Sequence, residues 1–268
     1  MKKTALRRAE VSDPAPGPSP VRRRGRPSRA DLPSSDGGPV LTRDRILEHA
    51  TLLAKFEPLG EISMVGLARE LNVTPTLIHY YVGSRDDLIS GVANRYFRER
   101  FVRRRPLSGD WKEDLWREGM QSFELGLEYG GVLRYMMAHN RFRLFQQVGA
   151  GETDYGIQYL DRIAGIFRAG GFEPDRAAIG YHLFSQYVMT SAYAEVSRQL
   201  PAFHERYIRD HIESQPVEAL PGAHYFADAF STLDSATSFP IGLRMLIDSF
   251  GAWLPDRGKT PAGPKRQR

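Results

Sequence analysis

Apolar residues between positions 41 and 101 recur at the spacing of amphipathic helices and predict four short ones. Each predicted helix is preceded by a hydroxyl side chain that can cap its first turn: Thr42, Ser63, Thr74 and Ser84. Apolar residues flank the first three caps at the spacing of a hydrophobic staple. The repetition of cap and staple predicts a compact, locally encoded helical module.

The connection between the second and third helices is very short. It contains Asn72 and Val73, and Pro75 follows the cap at the first position of the third helix, where proline is favoured. Asn tolerates the left-handed backbone conformation that ends a helix. Two short helices joined this tightly must cross steeply, which predicts a helix-turn-helix.

The third helix has an inner and an outer face. Ile78 and Val82 are four residues apart and should enter the core, with Tyr81 at its edge. The outer positions are Thr76, Leu77, His79 and Tyr80. Hydroxyl, imidazole and methyl groups can contact base edges in a DNA major groove, and a tyrosine hydroxyl can reach a phosphate. Ordinary half-buried packing of the two tyrosines is the alternative interpretation.

These residues also carry a resemblance. The stretch ISMVGLARELNVTPTLIHYYVGSRDDLI, residues 62–89, resembles the DNA-binding signature of the TetR family of transcriptional regulators, and the match extends without a gap from about Leu41 to Phe101. The resemblance implies that Thr42 and Ser63 place helix N-termini against phosphates. It further implies that the start of the third helix enters the major groove, with the contacts made by Thr74, Pro75, Thr76 and Leu77. Tyr80 and Arg85 would contact the DNA backbone.

The match has three departures from the family pattern. The family usually has glycine where Asn72 stands, an aromatic residue where Val82 stands and lysine where Gly83 stands. Asn72 keeps the turn, whereas Gly83 removes one expected phosphate contact.

The segments outside the helical region are polar. Residues 1–39 and 257–268 are rich in Pro, Gly, Ser and basic residues, which predicts disorder. Within the first, Arg24-Gly25-Arg26-Pro27 resembles the core of an AT-hook, so Arg24 and Arg26 are candidates for minor-groove contact.

Residues 1–105 contain 20 Lys and Arg against 12 Asp and Glu, and residues 106–268 contain 17 against 20. This asymmetry favours binding of a polyanion by residues 1–105, although a basic tail that only aids solubility would give the same count.

Residues 106–256 read as longer amphipathic helices, including one from Pro174 to about Leu200 and a last one from Pro240 to Leu254. The family resemblance implies a helical effector-binding and dimerisation domain here and a DNA-binding domain over residues 40–101. Pairing of two copies would present two recognition helices to a palindromic operator. Polar or aromatic residues on apolar faces are candidates for the effector pocket: Trp116, Tyr135, His139, Tyr159, His182 and Gln186. Each of them taken singly is better explained as a core or interface residue.

Several classes of protein are disfavoured. The chain has no cysteine, no apolar stretch long enough for a membrane helix and no secretory signal, so a cytoplasmic location is expected. His204 and His211 lack a third metal ligand, and no catalytic or phosphate-loop motif occurs, so we expect no enzyme activity, cofactor or metal.

The sequence therefore predicts an all-α, homodimeric, ligand-responsive DNA-binding regulator, more often a repressor in such families. Two alternatives remain open at this point. One is an effector-independent architectural DNA-binding protein, and the other is a helical enzyme or adaptor whose basic front half serves only solubility.

Overall fold

The computed structural model of the protein describes residues 40–139 and 146–254. Within these ranges all regular secondary structure is helical, which confirms the predicted all-α class. The α-helices are α1 Arg43–Leu53, α2 Met64–Glu70, α3 Pro75–Val82, α4 Arg85–Arg103, α5 Trp111–Glu128, α6 Gly130–Ala138, α7 Tyr155–Gly170, α8 Pro174–Val196, α9 Glu205–Glu213, α10 Pro221–Ser231 and α11 Ser235–Phe250. A compact unit begins at Leu41. The predicted division into residues 40–101 and 106–256 stays a prediction.

Helices α1 to α3 and the first half of α4 share one small core. Its fully buried members come from all four helices, and they are Ile46, Ala50, Leu67, Ala68, Ile78, Leu88 and Val92. Val82 is buried beside them, as its spacing from Ile78 predicts. The helix-turn-helix is thus held by apolar packing on one side of each short helix, which leaves the opposite sides accessible.

A second core lies among α5, α7, α8 and α11. It contains several phenylalanines among aliphatic side chains, and the rings of Phe123 and Phe239 stack with centroids 4.0 Å apart. Phe167, Phe184 and Phe250 are fully buried in the same cluster. Burial of a large aromatic side chain contributes about 1.5–3 kcal/mol, so this cluster is a main source of stability.

Two predicted helix boundaries were wrong. Helix α8 ends at Val196 rather than near Leu200, and α11 begins at Ser235 rather than at Pro240. Asp234 caps α11 by accepting a hydrogen bond from the Thr237 backbone N–H at 2.8 Å. Pro240 therefore lies inside the helix, and the last predicted residues form a short 3-10 turn, Gly251–Trp253.

Helices α9 and α10 were not predicted. They form a short helical excursion between α8 and α11, and they expose aromatic side chains such as Tyr207 and Tyr225. The excursion separates α8 from α11 along the chain, although the two long helices pack against each other.

The end of α1 meets the start of α6 through the backbone. The Gly131 N–H donates to the Ala54 carbonyl at 3.0 Å, and the Leu59 N–H donates to the Gly131 carbonyl at 3.1 Å. A Cβ atom added to Gly131 would lie 1.8 Å from the Glu57 carbonyl oxygen. Only glycine permits this approach, so the two parts of the structure are locked together here.

An ion-pair network lies beside this contact. Glu128 at the end of α5 accepts from Lys55 at 2.8 Å and from Arg103 at 2.6 Å. The hydrogen bond from Arg103, followed by that from Lys55, lowers the pKa of Glu128 to about 2. The network joins the ends of α1, α4 and α5, so it holds α4 against the second core.

We predict that Gly131→Ala destabilises the protein by about 3 kcal/mol or more, because the added methyl group collides with backbone that cannot move freely. The measurement is urea-induced unfolding. Gly165→Ala is the matched control, since a Cβ at this helical position meets nothing within 4 Å. The control should be neutral or stabilising by up to about 1 kcal/mol. Equal stability of the two variants would contradict the close approach at Gly131.

Candidate DNA-binding surface and internal cavity

The caps predicted from the sequence are present in α1 to α4. The backbone N–H of Arg45 donates to Thr42 Oγ1 at 3.2 Å, and that of Gly66 donates to Ser63 Oγ at 2.9 Å. Thr74 Oγ1 accepts from the Leu77 N–H at 3.4 Å. Each cap engages a single N–H, so other N–H groups of each first turn remain available to an anion.

The fourth cap is a complete capping box. The Asp87 N–H donates to Ser84 Oγ at 3.2 Å, and the Ser84 N–H donates to Asp87 Oδ2 at 2.7 Å. These hydrogen bonds to Ser84, the backbone one foremost, hold the pKa of Asp87 below its usual value. The box fixes where α4 begins, directly after the recognition helix.

The turn before α3 has the predicted geometry. Asn72 adopts φ 55°, the left-handed conformation that asparagine tolerates. The Val73 N–H donates to the Ala68 carbonyl at 2.9 Å and closes the end of α2. This turn sets the crossing of α2 and α3.

Helix α3 presents its predicted outer face to solvent. Thr74, Pro75, Thr76, His79 and Tyr80 are exposed, and Leu77 is half-buried. Tyr80 has 70% of its surface exposed, and its ring packs edge-on against half-buried Tyr81 with centroids 5.3 Å apart. Tyr81 therefore positions Tyr80, and the outer face carries hydroxyl, methyl and aromatic groups without a full charge.

Two of the predicted contact residues are engaged within the chain. Arg85 donates to the Gly60 carbonyl, and His79 Nδ1 lies 3.1 Å from the Gly83 carbonyl oxygen. Because a carbonyl can only accept, this ring nitrogen carries the proton in that contact. Neighbouring arginines are also engaged: Arg43 pairs with Glu152 at 2.6 Å, and Arg95 pairs with Asp44.

Three arginines near the helix-turn-helix are therefore held by contacts within the chain, whereas Arg69 in the last turn of α2 is exposed. Helix N-termini and hydroxyl groups offer further contacts to phosphates. Arg24 and Arg26, the predicted minor-groove residues, lie outside the described residues.

A cavity of about 20 Å³ lies where α4, α5, α6, α7 and α8 meet. Its walls are aromatic and apolar, with one guanidinium and two serine hydroxyls. The lining residues are Tyr96, Phe97, Arg100, Ser122, Leu133, Met136, Tyr159, Tyr181, Ser185, Val188 and Met189. A volume of this size admits about one water molecule, so a larger ligand must push the walls apart.

Of the six pocket candidates, Tyr159 lines this cavity, and its hydroxyl lies 2.9 Å from Ser122 Oγ. Burial, which is the largest influence, raises the pKa of Tyr159 to about 12. Tyr135 instead stacks on His139 with centroids 4.2 Å apart, next to the loop after α1. The Trp116 ring is covered by the Arg244 guanidinium at 4.1 Å.

The two remaining candidates point away from the cavity. His182 and Gln186 are exposed on α8. They share a helical face with exposed Ile179 and Leu183, so they belong to an outer surface rather than to the cavity.

Sequence reasoning missed the cavity residues of α4. Leu88, Val92 and Tyr96 form a stripe at intervals of four, and Arg100 occupies the next position of that stripe. A charged residue in line with buried apolar positions is a signal that could have been used, because such a cation must either be paired or serve a site.

Within the described residues, no helix has the length and apolar composition to cross a membrane. The same residues contain no cluster of three or more His, Cys, Asp or Glu side chains that could bind a metal ion.

Comparison with known proteins gives matches among solved structures. No protein-family model matches the sequence, and no curated protein matches it. Apo ActR from Streptomyces coelicolor is 27% identical with a TM-score of 0.64, and the match covers 80% of this chain and 98% of that chain. The TetR family protein ActR from the same organism, in complex with actinorhodin, matches at 26% identity and a TM-score of 0.65, over 80% of this chain and 98% of the other. The chain is thus similar to a TetR family protein over four fifths of its length.

A DNA complex shares the fold. BioQ with its natural double-stranded DNA operator is 17% identical with a TM-score of 0.54, and the match covers 80% of this chain and 99% of BioQ. Transcriptional regulators of Streptomyces coelicolor also match, among them the TetR regulator SCO7222 at 13% identity and a TM-score of 0.63, over 80% of this chain and 99% of that one. The TetR fold predicted from residues 62–89 is confirmed.

The departure from the TetR pattern at Gly83 has a local cause. Gly83 ends α3 with φ 96° and ψ −120°, a conformation that is essentially restricted to glycine. A Cβ there would lie 2.6 Å from Asp87 Oδ2. This turn therefore excludes the lysine that the family usually places here.

Replacing Thr76 and Tyr80 by alanine should abolish operator binding and leave the fold and oligomeric state unchanged, because both side chains are exposed on α3. Binding is measured by fluorescence anisotropy of a labelled operator, and folding by circular dichroism. Tyr207→Ala is the control, since Tyr207 has the same exposed fraction, 70%, in α9. Unchanged binding by the double variant would assign DNA recognition to another surface.

Proposed function

We propose that the protein is a homodimeric transcriptional repressor that binds a palindromic operator and is released from it by a small-molecule effector. The observation that supports this most directly is the exposed, uncharged outer face of α3 in a capped helix-turn-helix. A major groove admits one helix, and the groups on this face can read base edges and thymine methyl groups.

Operator binding is further supported by the likeness to BioQ, whose solved structure includes its DNA operator. We assign major-groove contacts to Thr74, Pro75, Thr76 and Leu77, and backbone contacts to Tyr80 and the N-termini at Thr42 and Ser63. We also assign Arg85 a contact to the DNA backbone. Its guanidinium would then donate to a phosphate oxygen instead of the Gly60 carbonyl.

Dimerisation is supported by apolar side chains on the outer faces of α8 and α11. Ile179 and Leu183 are exposed four residues apart on α8, and Ile241 and Met245 are exposed four residues apart on α11. The two helices pack against each other, so the two exposed stripes lie on neighbouring helices. A surface of this kind is expected to be covered by a partner, and a second copy covers it symmetrically.

Effector control is supported by the position of α4. Leu88 and Val92 in its first half are buried in the helix-turn-helix core, whereas Tyr96 and Arg100 in its second half line the cavity. A ligand that widens the cavity by displacing α4 would therefore act on α1, which packs against both α4 and α3. Release then requires that the effector bind the displaced arrangement more tightly than the DNA-bound one.

The function is tested by selecting fragments of genomic DNA with the purified, full-length protein. We expect enrichment of sites with two-fold symmetry and half-sites about 34 Å apart along the duplex. Affinity should fall steeply with salt, by about 10³- to 10⁵-fold between ~50 and ~200 mM if 6 to 10 phosphates are contacted. Enrichment of unsymmetrical sequences would favour an architectural role, and no enrichment would refute DNA recognition.

Ile241→Glu combined with Met245→Glu should convert the dimer to a monomer, because charged side chains would be buried in the apolar interface. Light scattering measures the mass. Operator affinity should fall by roughly 10²- to 10⁴-fold, since two linked half-site contacts become one. Ile157→Glu is the control, because Ile157 is exposed on α7 outside the α8 and α11 surface. A variant that remains dimeric would place the interface elsewhere, for example on α9 and α10.

A further inference from the structure

Arg100 is an unusual residue for the inside of a protein. It lies near the end of α4, is only 8% exposed and lines the internal cavity. Three aromatic rings surround its guanidinium, with centroids at 4.8 Å for Tyr96, 5.4 Å for Phe97 and 4.6 Å for Tyr159. The rings stabilise the cation but carry no net charge that would neutralise it.

The hydrogen bonding of Arg100 is incomplete. One terminal nitrogen donates to the Tyr96 hydroxyl at 2.6 Å, but Nε has no hydrogen-bond partner among the described residues. The ion pairs formed by the described residues do not include Arg100. Burying a cation without an anion costs several kcal/mol, and natural structures rarely retain that cost without a use for it.

Neighbouring groups do not supply the missing negative charge. The Tyr159 phenol stays protonated at neutral pH, because burial raises its pKa to about 12. Glu118 lies close by but is paired with Arg162, whose Nε lies 2.5 Å from Glu118 Oε1. Arg162 also donates to the Arg105 carbonyl, so this pair is held in place from both sides.

A second unsatisfied polar atom faces the same cavity. Ser185 on α8 is 6% exposed, and its Oγ has no hydrogen-bond partner among the described residues. Arg100 Nε and Ser185 Oγ thus come from different helices and offer a charged donor and a hydroxyl donor to one small space. The rest of the wall includes Leu133, Met136 and Met189, which are apolar and, for methionine, readily rearranged.

We propose that the effector is a hydrophobic carboxylic acid whose carboxylate pairs with Arg100 and accepts from Ser185, while its apolar body displaces Met136 and Met189. Guanidinium and carboxylate are complementary in charge and geometry, and the two oxygens of a carboxylate can accept from both open donors. The inference rests on the proposed effector control and specifies the ligand class of that site.

The position of Arg100 connects this recognition to α4. The cavity of about 20 Å³ accommodates little more than water, so an acid of useful size must separate α4 from α8. Its carboxylate then holds α4 in the new position through Arg100. A neutral analogue of the same shape can fill the space but cannot form the ion pair.

The test uses full-length protein and a size series of acids, from benzoate to 2-naphthoate and from hexanoate to decanoate, each beside its primary amide. Binding is measured by calorimetry and by the shift in Tm. We expect at least one acid to bind the wild-type protein about 10- to 100-fold more tightly than its amide, the range of a charge-assisted hydrogen bond. Arg100→Met should lose this preference while still binding the amide, and Arg100→Lys should recover part of it.

The variants also separate a binding role from a structural one. Because the cation is unpaired among the described residues, Arg100→Met should leave the Tm of the ligand-free protein unchanged or raise it. Arg98→Met is the matched control, since Arg98 is exposed on the same helix, and it should keep the acid preference. If no acid in the series is preferred over its amide, or if Arg100→Met keeps the preference, the proposal is wrong.

Operator binding is measured in the same samples, so that this proposal and the proposed function can fail separately. Absence of any acid preference in a wild-type protein that binds its operator refutes the carboxylate effector alone. Absence of operator binding in the wild-type protein refutes the regulator itself. Release of labelled operator by the preferred acid, and not by its amide, supports both.

Discussion

Helix α4 contributes buried side chains both to the helix-turn-helix core and to the second core, and the rest of the structure depends on that constraint. The first half of α4 closes the helix-turn-helix through Leu88 and Val92, and its second half lines the internal cavity through Tyr96 and Arg100. Because a helix of packed side chains is stiff, neither end can move independently of the other. The capping box at Ser84 and the ion pair at Arg103 fix the two ends of this shared element.

The helix-turn-helix could be predicted in detail because its signals are local. Thr42, Ser63 and Thr74 each cap a helix within three residues, and Asn72 forms the turn by its own conformational preference. Such features depend little on distant parts of the chain, so sequence spacing alone places them. The same locality explains why the family pattern is recognisable over this region.

The cavity could not be predicted, because no local rule brings its walls together. Arg100, Tyr159 and Ser185 lie on three helices that are widely separated in sequence. Polar residues on apolar helices, such as His182 and Gln186, were equally compatible with an outer surface, where the structure places them. The start of α11 was misassigned because Pro240 resembles a first-turn proline, whereas Asp234 provides the actual cap.

The length of α4 has a geometric consequence for control. From Arg100 back to Arg85 the helix rises about 22 Å, so a tilt of roughly 5° at the inner end swings the outer end by about 2 Å. The backbone hydrogen bonds at Gly131 fix the loop after α1 against α6. In the proposed regulator, a displacement of about 2 Å would exceed the tolerance of a hydrogen bond between the recognition helix and DNA.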